Sequence, residues 1–244
     1  PILVDGINEA GLMGALLHYP EYAIYPPKPR PDQMAVHPGR LLAYLFGLCS
    51  GVEEVAALLP TVALVDDLSL GSPLPAHYIF SDRSGEAAVL EPDAGGLKLH
   101  RHTIGVLTNL PKPPHSIAGH EIRAFGERLG GGFGLPGDYT SPSRFVRMAF
   151  MKEFAVEGID ELDGVSRMFR AFSPVNIPEG LSRTSPDAEE YQQTLCISVM
   201  CAESGIYYFS PAQNRRISAV RLPRGAGAIR QFPLGEHQDV NYRN

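Results

Sequence analysis

The stretch Leu135-Pro136-Gly137-Asp138-Tyr139-Thr140-Ser141-Pro142-Ser143-Arg144-Phe145-Val146-Arg147 decides the fold. Its first half is turn chemistry and its second half opens a helix. Ser141 is a good N-cap, Pro142 suits the first helical position, and Phe145, Val146, Ala149, Phe150 and Phe154 give the helix one apolar face. A second helix, about Leu162 to Phe172, follows. Either side of this block reads as strand. Before it come Ala76 to Ser81, the turn Asp82-Arg83-Ser84-Gly85, Glu86 to Glu91, and Thr103 to Thr108. After it come Thr194 to Cys201, the turn Glu203-Ser204-Gly205, Ile206 to Phe209, and Ile217 to Leu222. Strands, then helices, then strands, without alternating βαβ units, predict an α+β fold with helices packed on an antiparallel sheet.

Towards the N-terminus, Ile2-Leu3-Val4, the turn-like Asp5-Gly6 and the run Gly11 to Leu17 read as two adjacent strands, the second rich in small residues that admit close backbone approach. Pro20 through Pro38 holds Pro26, Pro27, Pro29 and Pro31 and predicts an extended surface loop. Two short helices follow. The second is signed by Ser50-x-x-Glu53 as a capping box, by Val52, Val55, Ala56 and Leu59 on one stripe, and by Pro60 as its stop. Thr61 to Val65 is a buried-strand run, residues 116–126 are weakly helical, and Gly130 to Gly137 is a loop. No internal repeat is present.

Composition narrows the functions. The 244 residues carry 21 Lys+Arg against 27 Asp+Glu, a net charge of −6, with 44% hydrophobic residues, which describes a globular chain and excludes a disordered or collagenous one. The length suits one large domain or two small ones, and the reading taken is one domain over residues 1–244. The longest apolar run, Leu41 to Cys49, is broken by Gly47 and falls short of the ~20 residues that a membrane-spanning helix needs. Only Asn214-Arg215-Arg216 is locally basic, so nucleic acid is not an expected partner.

Three cysteines cannot build a disulfide framework, and Cys196 and Cys201 fall on opposite faces of one strand-like run, ~17 Å apart if extended. They are expected to be buried thiols. There is no Cys-x-x-Cys, and His100-x-His102 is a same-face strand pair, so no metal and no cofactor are expected. Gly132-Phe133-Gly134-Leu135-Pro136-Gly137 matches the dinucleotide pattern in form only, because Pro136 removes an N–H donor and no strand leads into it. The phosphate-cradling loop and the G-x-S-x-G elbow are both missing from the sequence.

Three polar residues remain as candidates. Arg144 lies in the first turn of the best helix, where the helix dipole disfavours a cation. It is either a surface arginine answering Asp138 or Glu153, or a group serving a partner or substrate. Asn8 beside the Gly6 turn and Asn109 at a strand end before Pro111 are each either turn residues or amide donors into a cleft.

Five motifs in order resemble the choloylglycine hydrolase family. They are Asp5-Gly6-Ile7-Asn8-Glu9-Ala10-Gly11-Leu12, then Leu107-Thr108-Asn109-Leu110-Pro111, then Leu135 to Arg147 as quoted above, then Ser173-Pro174-Val175-Asn176-Ile177-Pro178, and finally Tyr207-Tyr208-Phe209 with Asn214-Arg215-Arg216-Ile217. That family includes bile salt hydrolases and penicillin V acylases. The resemblance implies an N-terminal-nucleophile hydrolase with an αββα sandwich, in which an N-terminal Cys attacks a linear amide using its own α-amino group as base. On this mapping Asn8 and Asn109 resemble the asparagines at the oxyanion site, Arg144 resembles the active-site arginine near the nucleophile, and Arg147 has no role. The implied partner is a small N-acyl amide, whether a conjugated bile salt, penicillin V or an N-acyl homoserine lactone.

Family members carry the nucleophilic Cys, an Arg and an Asp upstream of the Asp5-Gly6 motif, whereas this chain opens at Pro1 inside an apolar run. The expectation is therefore a domain lacking its N-terminal part and inactive by itself, since none of Cys49, Cys196 and Cys201 has a neighbouring free α-amine. A non-catalytic binding or interaction protein on the same fold is the competing reading. Compartment, cytoplasmic or periplasmic and secreted, is left to the upstream sequence, and homo-oligomer formation stays open.

Overall fold

Tyr78 and Phe80 stand two residues apart on one strand, so they share a face, and both are fully buried. That face is covered by two short helices. In the computed structural model, which describes residues 2–67, 71–109, 135–183, 191–223, 225 and 229–234, the strand belongs to a five-stranded antiparallel sheet of order β1-β2-β5-β6-β7. Its members are β1 (Asp5–Ile7), β2 (Met13–His18), β5 (Ala76–Ser81), β6 (Ala87–Asp93) and β7 (Gly96–His100). The helices are α1 (Leu41–Leu48) and α2 (Val52–Leu58). Leu41, Leu42, Leu45, Val52 and Val55 close on Tyr78, Phe80, Ala88 and Leu90 to form the largest core cluster. Gly14 lets them close, because a Cβ there would meet the Phe80 ring at 2.9 Å and the Ile79 carbonyl at 3.1 Å.

The opposite face of this sheet looks at a second one. Asp5, Ala15 and Ile79 are paired across β1, β2 and β5 and so share the face that Tyr78 and Phe80 do not use. Asp5 accepts hydrogen bonds from Ser198 Oγ at 2.5 Å and from Tyr207 OH at 2.8 Å. Those residues lie on β10 (Cys196–Cys201) and β11 (Ile206–Pro211), which with β12 (Ser218–Arg221) make a three-stranded antiparallel sheet. Their neighbours Val199 and Tyr208 point the other way, onto Val165 and Phe169 of α4 (Glu161–Phe172). Residue parity alone thus places helices outside and two sheets inside, the αββα sandwich.

The remaining elements are small. The proline-rich segment is extended as expected, but its end forms β3 (Met34–Val36), paired in parallel with the wholly buried β4 (Val62–Leu64). Strands β8 (Ser182–Arg183) and β9 (Tyr191–Gln192) form a two-stranded pair. Among the described residues no single helix is long and apolar enough to cross a membrane.

Several sequence expectations shift by a few residues for identifiable reasons. Asp5-Gly6 is strand and not turn; the turn is Asn8 to Gly11, where Gly11 takes φ +92°. The α2 cap is not Ser50-x-x-Glu53: Ser50 N–H donates to Glu54 at 2.7 Å, and Asp82, from another strand's end, accepts from Val52 N–H at 2.7 Å. Thr103 to Thr108 is not a ladder strand, since Gly105 at φ +70° breaks the extended path; Gly96–His100 takes that place beside β6. The weak helix at 116–126 and most of the Gly130 to Gly137 loop lie outside the described residues.

Candidate active site

Helix α3 (Ser141–Glu153) builds the site together with the segment 103–109. Its N-cap is Thr140, one residue earlier than the sequence suggests. Asp138 organises the entry, its carboxylate accepting from Thr140 N–H at 2.8 Å and from Ser143 Oγ at 2.9 Å. These bonds, Thr140 first, hold the Asp138 carboxyl below the usual carboxylate range. Phe145, Ala149 and Phe150 pack against Ile104 and Val106, pressing segment 103–109 onto the helix. The other end of that segment is tied to the first sheet through Thr103 N–H to Ala87 O at 3.0 Å.

This packing delivers Asn109 to Arg144. Arg144 Nη2 donates to Asn109 Oδ1 at 2.9 Å, Arg144 Nε donates to Tyr139 O at 3.1 Å, and Asn109 Nδ2 donates to His18 O at 3.1 Å. The partners of Arg144 are Tyr139 O and Asn109 Oδ1 and not Asp138, whose neighbouring cation is Arg147. Arg144 is partly buried, and desolvation, with Arg147 nearby as the smaller cause, pushes its pKa down. A guanidinium placed at a helix N-terminus beside another cation is one that favours an anion in the adjoining space.

Asn8 does not join them. It is buried, and its side chain is fully engaged at the opposite end of β2 from His18, ~17 Å along the strand. Nδ2 donates to Phe46 O at 3.0 Å and Cys49 O at 2.8 Å, while Oδ1 accepts from Ala10 N–H at 3.1 Å and Leu12 N–H at 2.9 Å. Both amide hydrogens are consumed. The structure ties Asn8 to the β1–β2 turn and to α1 and does not bring it to Asn109 and Arg144.

Arg147, unassigned from sequence, is 5% exposed and clamps the loop that feeds the helix, donating from Nη1 to Pro136 O at 2.5 Å and Asp138 O at 2.6 Å. It falls four residues after Ser143 and three before Phe150, both buried, and that helical spacing was the available signal.

Other polar groups have other duties. His37, Asp66 and Asp67 converge, but His37 Nδ1 accepts from Gly39 N–H at 3.0 Å, so the ring proton sits on Nε2, 3.4 Å from Asp66 Oδ1. A protonated ring nitrogen cannot ligate a metal. His100 turns to Glu91 and the exposed His102 to Glu86. The three cysteines are free thiols, with Cys49 buried and engaged at α1 and the other two on β10. A cleft of about 650 Å³ beside Asn176, Gln193 and Cys196 does not include Asn109 or Arg144.

The sandwich and its polar corner define a hydrolase fold of the N-terminal-nucleophile class. Residues 1–225 match the model for linear amide C-N hydrolases, choloylglycine hydrolase family, and the chain belongs to that family. It is 33% identical to a bile salt hydrolase/transferase of Lactiplantibacillus plantarum over 91% of this chain and 74% of that protein. It is 27% identical to a bile salt hydrolase/transferase of Clostridium perfringens, over 100% of this chain and 80% of the other. A penicillin V acylase of Pectobacterium atrosepticum is 26% identical over 98% of this chain and 68% of its own length. Among solved structures, a variant of the conjugated bile acid hydrolase of Clostridium perfringens superposes with a TM-score of 0.83 at 27% identity, covering 100% of this chain and 81% of the other.

Proposed function

We propose that this chain carries the oxyanion and arginine side of a cysteine amidase site, acting on the linear amide of a conjugated bile salt, penicillin V or a related N-acyl amide. The observation that carries the reading is Asn109 held between His18 O and Arg144. One Nδ2 hydrogen goes to His18 O, and among the described residues nothing accepts the second, which can donate to the oxygen of a tetrahedral intermediate. Arg144 stabilises a thiolate or the developing oxyanion beside it. The nucleophile is a residue other than Cys49, Cys196 and Cys201, because those thiols belong to the α1 end and to β10, and burial pushes the Cys49 and Cys196 thiols up, away from the thiolate form. A terminal Cys, with its own amine as base, completes the mechanism in the space next to Arg144. The family's activity on linear amides, and the bile salt and penicillin V relatives, support this substrate class.

The test is release of phenoxyacetate from penicillin V, and of glycine or taurine from conjugated bile salts. The 244 residues alone are expected to release none, and the same chain extended by a segment that begins with Cys is expected to turn over. Thiol-dependent turnover by the 244 residues themselves would place the nucleophile among the three internal cysteines and overturn the reading.

A further inference from the structure

A peptide carbonyl is only as well placed as the residues flanking it. The carbonyl that accepts from Asn109 belongs to the His18–Tyr19 peptide. His18 is exposed at the end of β2, but Tyr19 is 4% exposed and pinned on several sides. Its N–H donates to Pro75 O at 2.9 Å. Its ring lies face to face on His77, with centroids 4.2 Å apart and planes 11° apart. Its hydroxyl has the Glu91 carboxylate as partner, and burial together with that charge raises the Tyr19 pKa, so the hydroxyl remains a donor.

The platform beneath Tyr19 is buried. His77 is fully buried, and Glu91 is 3% exposed on the neighbouring strand. Glu91 Oε1 lies 3.9 Å from His77 Nδ1, and its Oε2 lies 3.4 Å from His100 Nε2. His77 shares its face with Ile79, which is the face turned to the second sheet. Among the described residues neither His77 nitrogen has a hydrogen-bond partner, so the imidazole is held here by its ring contact and by Glu91.

We infer that Tyr19 is the positioning residue of this site: stacked on His77, it fixes the His18 carbonyl and, through it, the face that Asn109 turns to Arg144. This rests on Asn109 and Arg144 forming the site, but its test reads geometry and needs no turnover. In the ¹⁵N-labelled chain the observable is the side-chain amide pair of Asn109. Tyr19→Phe keeps the stack and is expected to leave those resonances in place. Tyr19→Leu removes the ring and is expected to shift them and to speed their exchange roughly tenfold, the scale of one lost hydrogen bond. Tyr22→Leu, at the adjacent ring 5.7 Å away, is the silent control. Unmoved Asn109 resonances in folded Tyr19→Leu overturn the inference.

If Tyr19→Leu does not fold, the wild-type chain decides. Native-state exchange is expected to give the Tyr19 N–H and the Asn109 amide one common opening. Opening constants that differ by more than about tenfold reject the inference. Failure of the amide-release assays counts against the functional reading alone.

Discussion

Arg144 Nη2 donates to Asn109 Oδ1 at 2.9 Å, and this bond fixes which way the Asn109 amide faces. A guanidinium offers only donors and a peptide carbonyl only acceptors. With Arg144 on one side and His18 O on the other, a flipped amide would oppose donor to donor and acceptor to acceptor.

Asn109→Ala in an active form of the enzyme is expected to lower kcat by roughly 10²–10³ while KM changes little, the signature of a donor used in the transition state. Asn109→Asp keeps an acceptor for Arg144 but loses the donor, and is expected to behave alike. Steady-state kinetics on both variants check this, and unchanged kcat in a folded variant returns Asn109 to a turn residue.

Arg144 reaches Tyr139 O with Nε and Asn109 with Nη2, two bonds from a planar fork that an ammonium cannot reproduce. Arg144→Lys is therefore expected to be nearly as damaging to kcat as Arg144→Ala, with both variants melting close to wild type. Full activity in Arg144→Lys rejects the geometric role.

Arg147 is expected to show the reverse pattern. Arg147→Ala abandons two part-buried bonds to the Pro136 and Asp138 carbonyls, a loss of about 2–4 kcal/mol in urea unfolding. A loss under about 0.5 kcal/mol would mean that the clamp is ornamental.

Asn8→Ala removes four hydrogen bonds, two of them buried and two part-buried, and is also expected to cost about 2–4 kcal/mol, with kcat per folded molecule unchanged. Comparing its kinetics with those of Asn109→Ala separates scaffold from site. A kcat loss in stably folded Asn8→Ala would restore it as a catalytic candidate.

The contrast between the two asparagines shows where sequence reading stops. The strand–helix–strand order, β5 and the Phe145, Ala149 and Phe150 part of the α3 stripe follow from local periodicity and were legible, whereas Phe154 lies past the helix end and is half exposed. Whether an asparagine faces a cleft or knots a turn depends on distant carbonyls, here Phe46 and Cys49 for Asn8 and His18 for Asn109. The same holds for Asp82, which caps α2 from 30 residues away, and for Arg147, whose clamp exists only once residues 135–139 fold back on α3. Gly96–His100 did leave a mark, Leu97-x-Leu99 after Gly95-Gly96, but the apolar run at Thr103 competed with it.

The pH response of α3 should follow Asp138. Its folded pKa is depressed, so its contribution is complete above the unfolded carboxyl value of about 4 and is lost as pH falls through the lower folded value. Melting curves from pH 7 to pH 3 are expected to show an acid-sensitive component at α3 that Asp138→Asn removes. An identical acid slope in Asp138→Asn would assign it to other carboxyls.

The cross-sheet bonds of Asp5 have a consequence in time. Tyr207 lies 202 residues further along the chain. At a synthesis rate of about 5–20 residues per second, roughly 10–40 s separate the emergence of the carboxylate from that of its partner. Through that interval the inner face of the first sheet, ready to form from local hairpins, has no second layer against it. The nascent chain thus presents a half-built sandwich whose waiting surface sets Met13, Ala15, Leu17, Ile79, Ala87 and Val89 among the polar Asp5, His77, Ser81, Glu91, Asp93, Lys98 and His100. Its yield on the ribosome is set by how well that surface is kept from other chains until the last strands arrive.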